Sequence, residues 1–281
     1  MDIINEVLEY PIEDTENRIL SQHKRRGGNA ANTAVVLSQL GHQCYWAGTL
    51  LSKQANDADN QNILNDFDKY QINYDYSEFL KQGKVPTSYI TLSQKTASRT
   101  ITHYRDLAEF SFQSFDTIDL KEFDWLHFEG RNIKQTKKMM QKSKHLFPKI
   151  PLSLEVEKNR EGVEELIPYA DIILFSKNYV LQQGFATANE FFQQNKTIFK
   201  NKIIFCAWGS SGAAGFIEQQ YYWQDGFKVN AIDTIAAGDV FNAAIIDQQI
   251  RHHDIKSSLM NACQTAARSC TKEGIELYLS G

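Results

Sequence analysis

No run of apolar residues among these 281 is long enough to span a bilayer. The opening MDIINEVLEYPIED lacks the basic start and apolar core of a signal peptide. Neither sign of charge dominates: 30 Lys and Arg stand against 34 Asp and Glu, a net charge of -4. The basic footprint of a nucleic-acid binder is therefore missing, and the one basic knot, HKRRGG at 23–28, reads as a solvated turn. Cysteine is sparse. Cys44, Cys206, Cys263 and Cys270 are scattered without metal spacing, which fits reduced, mostly buried thiols in the cytoplasm. There is no G-x-x-x-x-G-K-[ST], no strand-linked G-x-G-x-x-G, no H-E-x-x-H and no G-x-S-x-G, which argues against a P-loop, a dinucleotide site, a zincin and a serine hydrolase. His252 and His253 read as a solvated pair. Internal repeats and low-complexity tracts are absent too.

What is present is an alternation. Short apolar runs at 43–50, 125–130, 152–157, 171–176 and 202–209 read as buried strands. Helical patterns lie at 56–70, 133–146, 160–168 and 186–200, and longer ones follow at 239–250 and 254–272. The pattern predicts a doubly wound α/β fold, a parallel sheet covered on both faces, with ligands at the carboxyl ends of its strands. Residues 2–22 and 83–104 break the rhythm with alternating, polar-rich runs. They predict a small antiparallel lid beside one main domain spanning 1–281.

Three stretches carry chemistry. In DTIAAGDVFNAA, 233–244, small residues precede an apolar helix, so Asp239 falls in its first turn. Unpaired amides and the helix dipole there attract anions, and the carboxylate either caps the helix or takes a proton from a ligand. In RRGGNAANTAVVLSQLG, 25–41, Gly27 and Gly28 permit a sharp turn, Asn29 is placed to cap a helix ending at Gly41, and Asn32 lies on the same face. The two amides match adjacent sugar hydroxyls; the alternative is a capped helix whose second Asn faces water. In CAWGSSGAAGF, 206–216, Gly209, Ser210, Ser211 and Gly212 form either a phosphate-binding turn or a hairpin.

Together these stretches resemble the ribokinase family of sugar kinases and, within it, the ketohexokinase (hepatic-type fructokinase) branch. The resemblance also rests on KVPTSYI, SRTI, WLHFEGRN, LEVEKNREG and FSKNYVLQQGF, collinear over nearly the whole chain. It implies ATP-dependent phosphorylation of a ketose, D-fructose to fructose 1-phosphate, with Asp239 as general base. It implies an anion hole of Ala236, Ala237 and Gly238, and sugar contacts from Asp2, Gly28, Asn29 and Asn32. Arg99 matches a lid arginine that approaches the ATP phosphates, and Gly209–Gly212 a nucleotide-binding turn. Mg²⁺ held by phosphates and water, help from K⁺ and a homodimer clasped through the lid are implied as well.

The chain departs from the branch at Ala236, where glycine is usual, and at Ser210 and Ser211, where acids are common. Alanine keeps its N–H, and donation is expected to survive on a negative φ. Family members also open on an apolar core strand leading into the sugar-binding aspartate. Here Met1 directly precedes Asp2, so that strand is expected to be missing from the sheet. The rival readings are another sugar or nucleoside kinase, or a non-catalytic sugar- or nucleotide-binding relative.

Overall fold

The computed structural model describes residues 1–96 and 98–277. The chain begins with β1 (Asp2–Val7) and β2 (Ser21–Arg25), then α1 (Asn29–Gln39), β3 (Thr49–Leu51), α2 (Ala58–Lys69) and β4 (Glu78–Leu80). Next come β5 (Thr87–Ser93), β6 (Arg99–Tyr104), the short α3 (Phe112–Phe115), β7 (Leu126–Glu129), α4 (Ile133–Leu146) and β8 (Leu152–Val156). After β9 (Ile172–Ser176) follow α5 (Lys177–Gln182), α6 (Ala188–Gln194) and β10 (Ile203–Ala207). The antiparallel pair β11 (Gly212–Ile217) and β12 (Gln220–Asp225) precedes α7 (Ala237–Ile250) and α8 (Ile255–Ser269).

The main sheet has six strands in the order β12-β11-β10-β9-β8-β7. Strands β7 to β10 are parallel, as expected, and β11 and β12 add an antiparallel margin. Every residue of β8 is buried, the mark of a strand covered on both faces. Leu154, Ile173, Phe192 and Phe216 pack on one side of the sheet; Leu174, Phe205, Phe241 and Ile245 pack on the other. Helix α7 is buried nearly all round and is sandwiched against α1 and α8, with Val36, Val240 and Ala243 closing the contact.

Three expectations are corrected. The run at 43–50 is not a strand of the main sheet. Only its end, in β3, is extended, and it pairs with β4 in a separate two-stranded sheet. Apolarity alone cannot say which sheet a strand joins. The lid is a four-stranded sheet, β2-β1-β5-β6, and it is mixed: β1 runs antiparallel to β2 but parallel to β5. The pattern at 160–168 forms a 3-10 segment, Val163–Tyr169, with Pro168 inside it, a residue that disfavours continuation as α-helix.

Candidate active site

A cleft of about 1540 Å³ opens between the lid and the carboxyl ends of the parallel strands. Helix α7 points its N-terminus into it. Asp239 is the third residue of α7 and is 7 % exposed, and Ala236, Ala237 and Gly238 line the wall beside it. A Cβ built on Gly238 would meet nothing within 4 Å, so the backbone there lies open to an incoming anion. Ala236 adopts φ 72, so the negative φ on which its amide donation is expected to depend is not met. The left-handed residue turns the chain into the helix and keeps its N–H.

Asn29 and Asn32 both line this cleft from α1, but Asn29 is no cap. Gly28, at φ 99, is the N-cap residue and makes no side-chain cap bond. The freed Asn29 amide donates to the Glu155 and Glu157 carboxylates, 3.1 Å each. Asn32 donates through Nδ2 to Asp239 Oδ2 at 2.6 Å. Asp2, at the start of the lid, also lines the cleft and packs so closely on Gly27 that a Cβ there would come within 2.4 Å of its carboxylate. The lid thus carries its aspartate onto the loop ahead of α1.

Burial pushes the Asp239 carboxyl up to about 8; the Asn32 hydrogen bond pulls against this, Glu129 and Glu157 add to the rise, and Arg26 opposes it. Glu155 accepts from Asn242 Nδ2 at 2.8 Å, linking β8 to α7. Burial raises it well above the ordinary carboxylate range, and the neighbouring Asp239, Glu129 and Glu157 push the same way. Two raised carboxyls facing one cleft make it the candidate functional site.

Elsewhere on the wall, Gly209, Ser210 and Gly212 line the cleft, in a 3-10 turn leading into β11, and Arg99 lines it from β6. Ser211 is not among the lining residues; its carbonyl accepts from Gly226 N at 3.0 Å. No group of His, Cys, Asp and Glu among the described residues could hold a metal ion.

Several residues of the cleft lie outside the sequence reading. Glu129, Glu155, Glu157 and Asn242 face the cleft, and acids in the otherwise apolar WLHFEG and LEVE runs were the available signal. The HKRRGG knot is not a solvated turn. Arg25 pairs with Asp233 at 2.5 Å, and the Arg26 side chain is 4 % exposed.

The profile of the pfkB family of carbohydrate kinases matches residues 1–278. A ketohexokinase of Mus musculus is 34 % identical, over 98 % of this chain and 95 % of that protein. A fructosamine kinase of Bacillus subtilis is 25 % identical, over 87 % of this chain and 83 % of that protein. Among solved structures, a ribokinase of Arabidopsis thaliana complexed with ribose and ATP superposes with a TM-score of 0.77 at 18 % identity, covering 97 % of this chain and 90 % of that one. A Cryptococcus neoformans ribokinase in complex with ADP gives 0.78 at 14 %, covering 98 % and 92 %. The last two establish the ribokinase-like fold.

Proposed function

Because the chain belongs to the pfkB family of carbohydrate kinases, an ATP-dependent sugar kinase by that membership, we propose that its substrate is D-fructose and its product fructose 1-phosphate. The observation that carries this reading is Asp239, buried in the first turn of α7 beside open backbone amides and bonded to Asn32 at 2.6 Å. The similarity to a ketohexokinase over nearly the whole chain supports the choice of sugar.

Phosphoryl transfer requires alignment and charge stabilisation more than covalent help. Asn29, Asn32, Gly28 and Asp2 hold the sugar so that its 1-hydroxyl meets Asp239. The ionised Asp239 carboxylate accepts the hydroxyl proton as the oxygen attacks the γ-phosphorus and the bond to the β-phosphate oxygen breaks, releasing ADP. The amides of Ala236, Ala237 and Gly238 and the α7 dipole meet the charge on the transferring group. Arg99 and the Gly209–Gly212 turn hold the nucleotide, with Ser211 contributing backbone shape. Mg²⁺, when bound on the phosphates, supplies charge neutralisation; K⁺ assists. The protein works in the cytoplasm as a homodimer clasped through the lid.

A second reading has its own observation. Glu129, Glu155 and Glu157 crowd the sugar side, and such a lining suits a sugar bearing an amine. ATP consumption measured over fructose, ribose, fructosamine and a nucleoside separates the readings, with phosphorus NMR locating the new ester. Preference for fructose with a 1-phosphate product is expected; a higher kcat/KM for the amine would move the assignment to amino sugars. Asp239→Asn should lower turnover about 10²–10⁴-fold with nucleotide binding retained.

A further inference from the structure

Arg26 takes no part in the chemistry outlined above, yet it is the most enclosed cation at the site. Its Nε donates to Asp66 Oδ2 on α2 at 2.5 Å, and its Nη1 donates to Asn32 Oδ1 at 2.8 Å. The guanidinium carbon lies 5.7 Å from the Phe67 ring centroid. Three contacts hold one buried side chain in one pose.

A guanidinium has donors and no acceptor. Whatever it touches on an amide must be the oxygen. With Oδ1 held by Arg26, the Asn32 Nδ2 is turned to the Asp239 carboxylate, as observed at 2.6 Å. An amide left to itself could present either end, and the oxygen end would repel the base. We propose that Arg26 is a positioning residue for phosphoryl transfer: it fixes the Asn32 amide so that one N–H steadies Asp239 and the other is left for a sugar hydroxyl. This rests on the reading of Asp239 as the base.

Charge enters as well as orientation. Asp239 is faced by Glu129 from β7, by Glu155 and Glu157 from β8 and its end, and by Arg26 from the loop ahead of α1. Glu129 and Glu157 favour the protonated base and Arg26 favours the ionised one. A buried opposite charge shifts a carboxyl by about 1–3 pH units.

The test compares native protein with Arg26→Met and Arg26→Lys. In Arg26→Met the acid limb of kcat/KM for the sugar is expected to move up by about one pH unit and the sugar KM to rise about tenfold, with the KM for ATP unmoved. Arg26→Lys keeps the charge but cannot span Asn32 and Asp66 together, so it should restore the acid limb and not the sugar KM. A purely structural Arg26 would lower the melting temperature and leave both quantities alone, overturning the proposal. Should Arg26→Met fail to fold, Asp66→Asn loosens the same guanidinium from its more exposed end. A rise in sugar KM there, with the ATP constant unmoved, supports the proposal; no change overturns it. Carbon NMR titration of the Asp239 carboxyl in sugar-free protein separates this proposal from the kinase reading. An upward shift in Arg26→Met supports positioning even if no sugar is turned over. An unmoved titration overturns it even if the enzyme is active.

Discussion

At the scale of single residues, the site stores a conflict in Asp239. A carboxyl pushed up to about 8 by burial is ionised less readily in the folded chain than in the unfolded one. The ionised form therefore costs stability above that pH, and the cost is relieved as pH falls through about 8. Asp239→Asn removes the charge and should raise the melting temperature at pH 9 more than at pH 6, while abolishing most turnover. Equal shifts at the two pH values would show that ionisation carries no such cost. Chemistry and stability oppose each other at this residue. For the neighbouring amides, loss of a hydrogen bond to ligand is worth ~0.5–1.5 kcal/mol. Asn29→Ala and Asn32→Ala should therefore raise the sugar KM several-fold and spare that for ATP. Ala236 at φ 72 predicts a milder outcome. Ala236→Gly removes a left-handed alanine costing roughly 1 kcal/mol but adds flexibility to the unfolded chain. Activity should persist, and denaturant unfolding should place the variant within about 1 kcal/mol of the native protein.

Between elements, Asp233 fastens three pieces of chain. It pairs with Arg25 at the end of β2, and it accepts from the amides of Ile235 and Gly274 at 2.9 and 3.0 Å. Burial alone would raise this carboxyl, but Arg25 and the two amides outweigh it and hold it below 3.8. Its contribution is present in full above that value and is lost as pH falls through the lower folded one. Arg25→Ala should cost about 1 kcal/mol at pH 7, and the difference should shrink as pH falls through the lowered Asp233 value. Urea midpoints followed downward from pH 7 measure it. Which of these links could be read from sequence followed from their reach. Gly238 and Asp239 were legible because loop and helix are adjacent in the chain. The Asn29 cap was misread because the backbone of Gly28 does the turning, which frees the side chain for β8. Arg26 was left to solvent because its partners, Asp66 and Phe67, lie about 40 residues away. The parallel pairing of β1 with β5 was invisible for the same reason: alternation fixes which face is wet and says nothing of the neighbour's direction.

For the molecule as a whole, the main sheet ends at β7 and the small sheet at β3, and both strands line the same cleft. The carboxylates gathered in the cleft also bear on what it is expected to turn away. Asp239, Glu129, Glu155 and Glu157 need donors, and a free sugar is rich in them. A ketose already esterified with phosphate at its far end would bring a dianion against that lining, so the molecule is expected to act at the head of a sequence of phosphorylations and to ignore sugars that have already entered one.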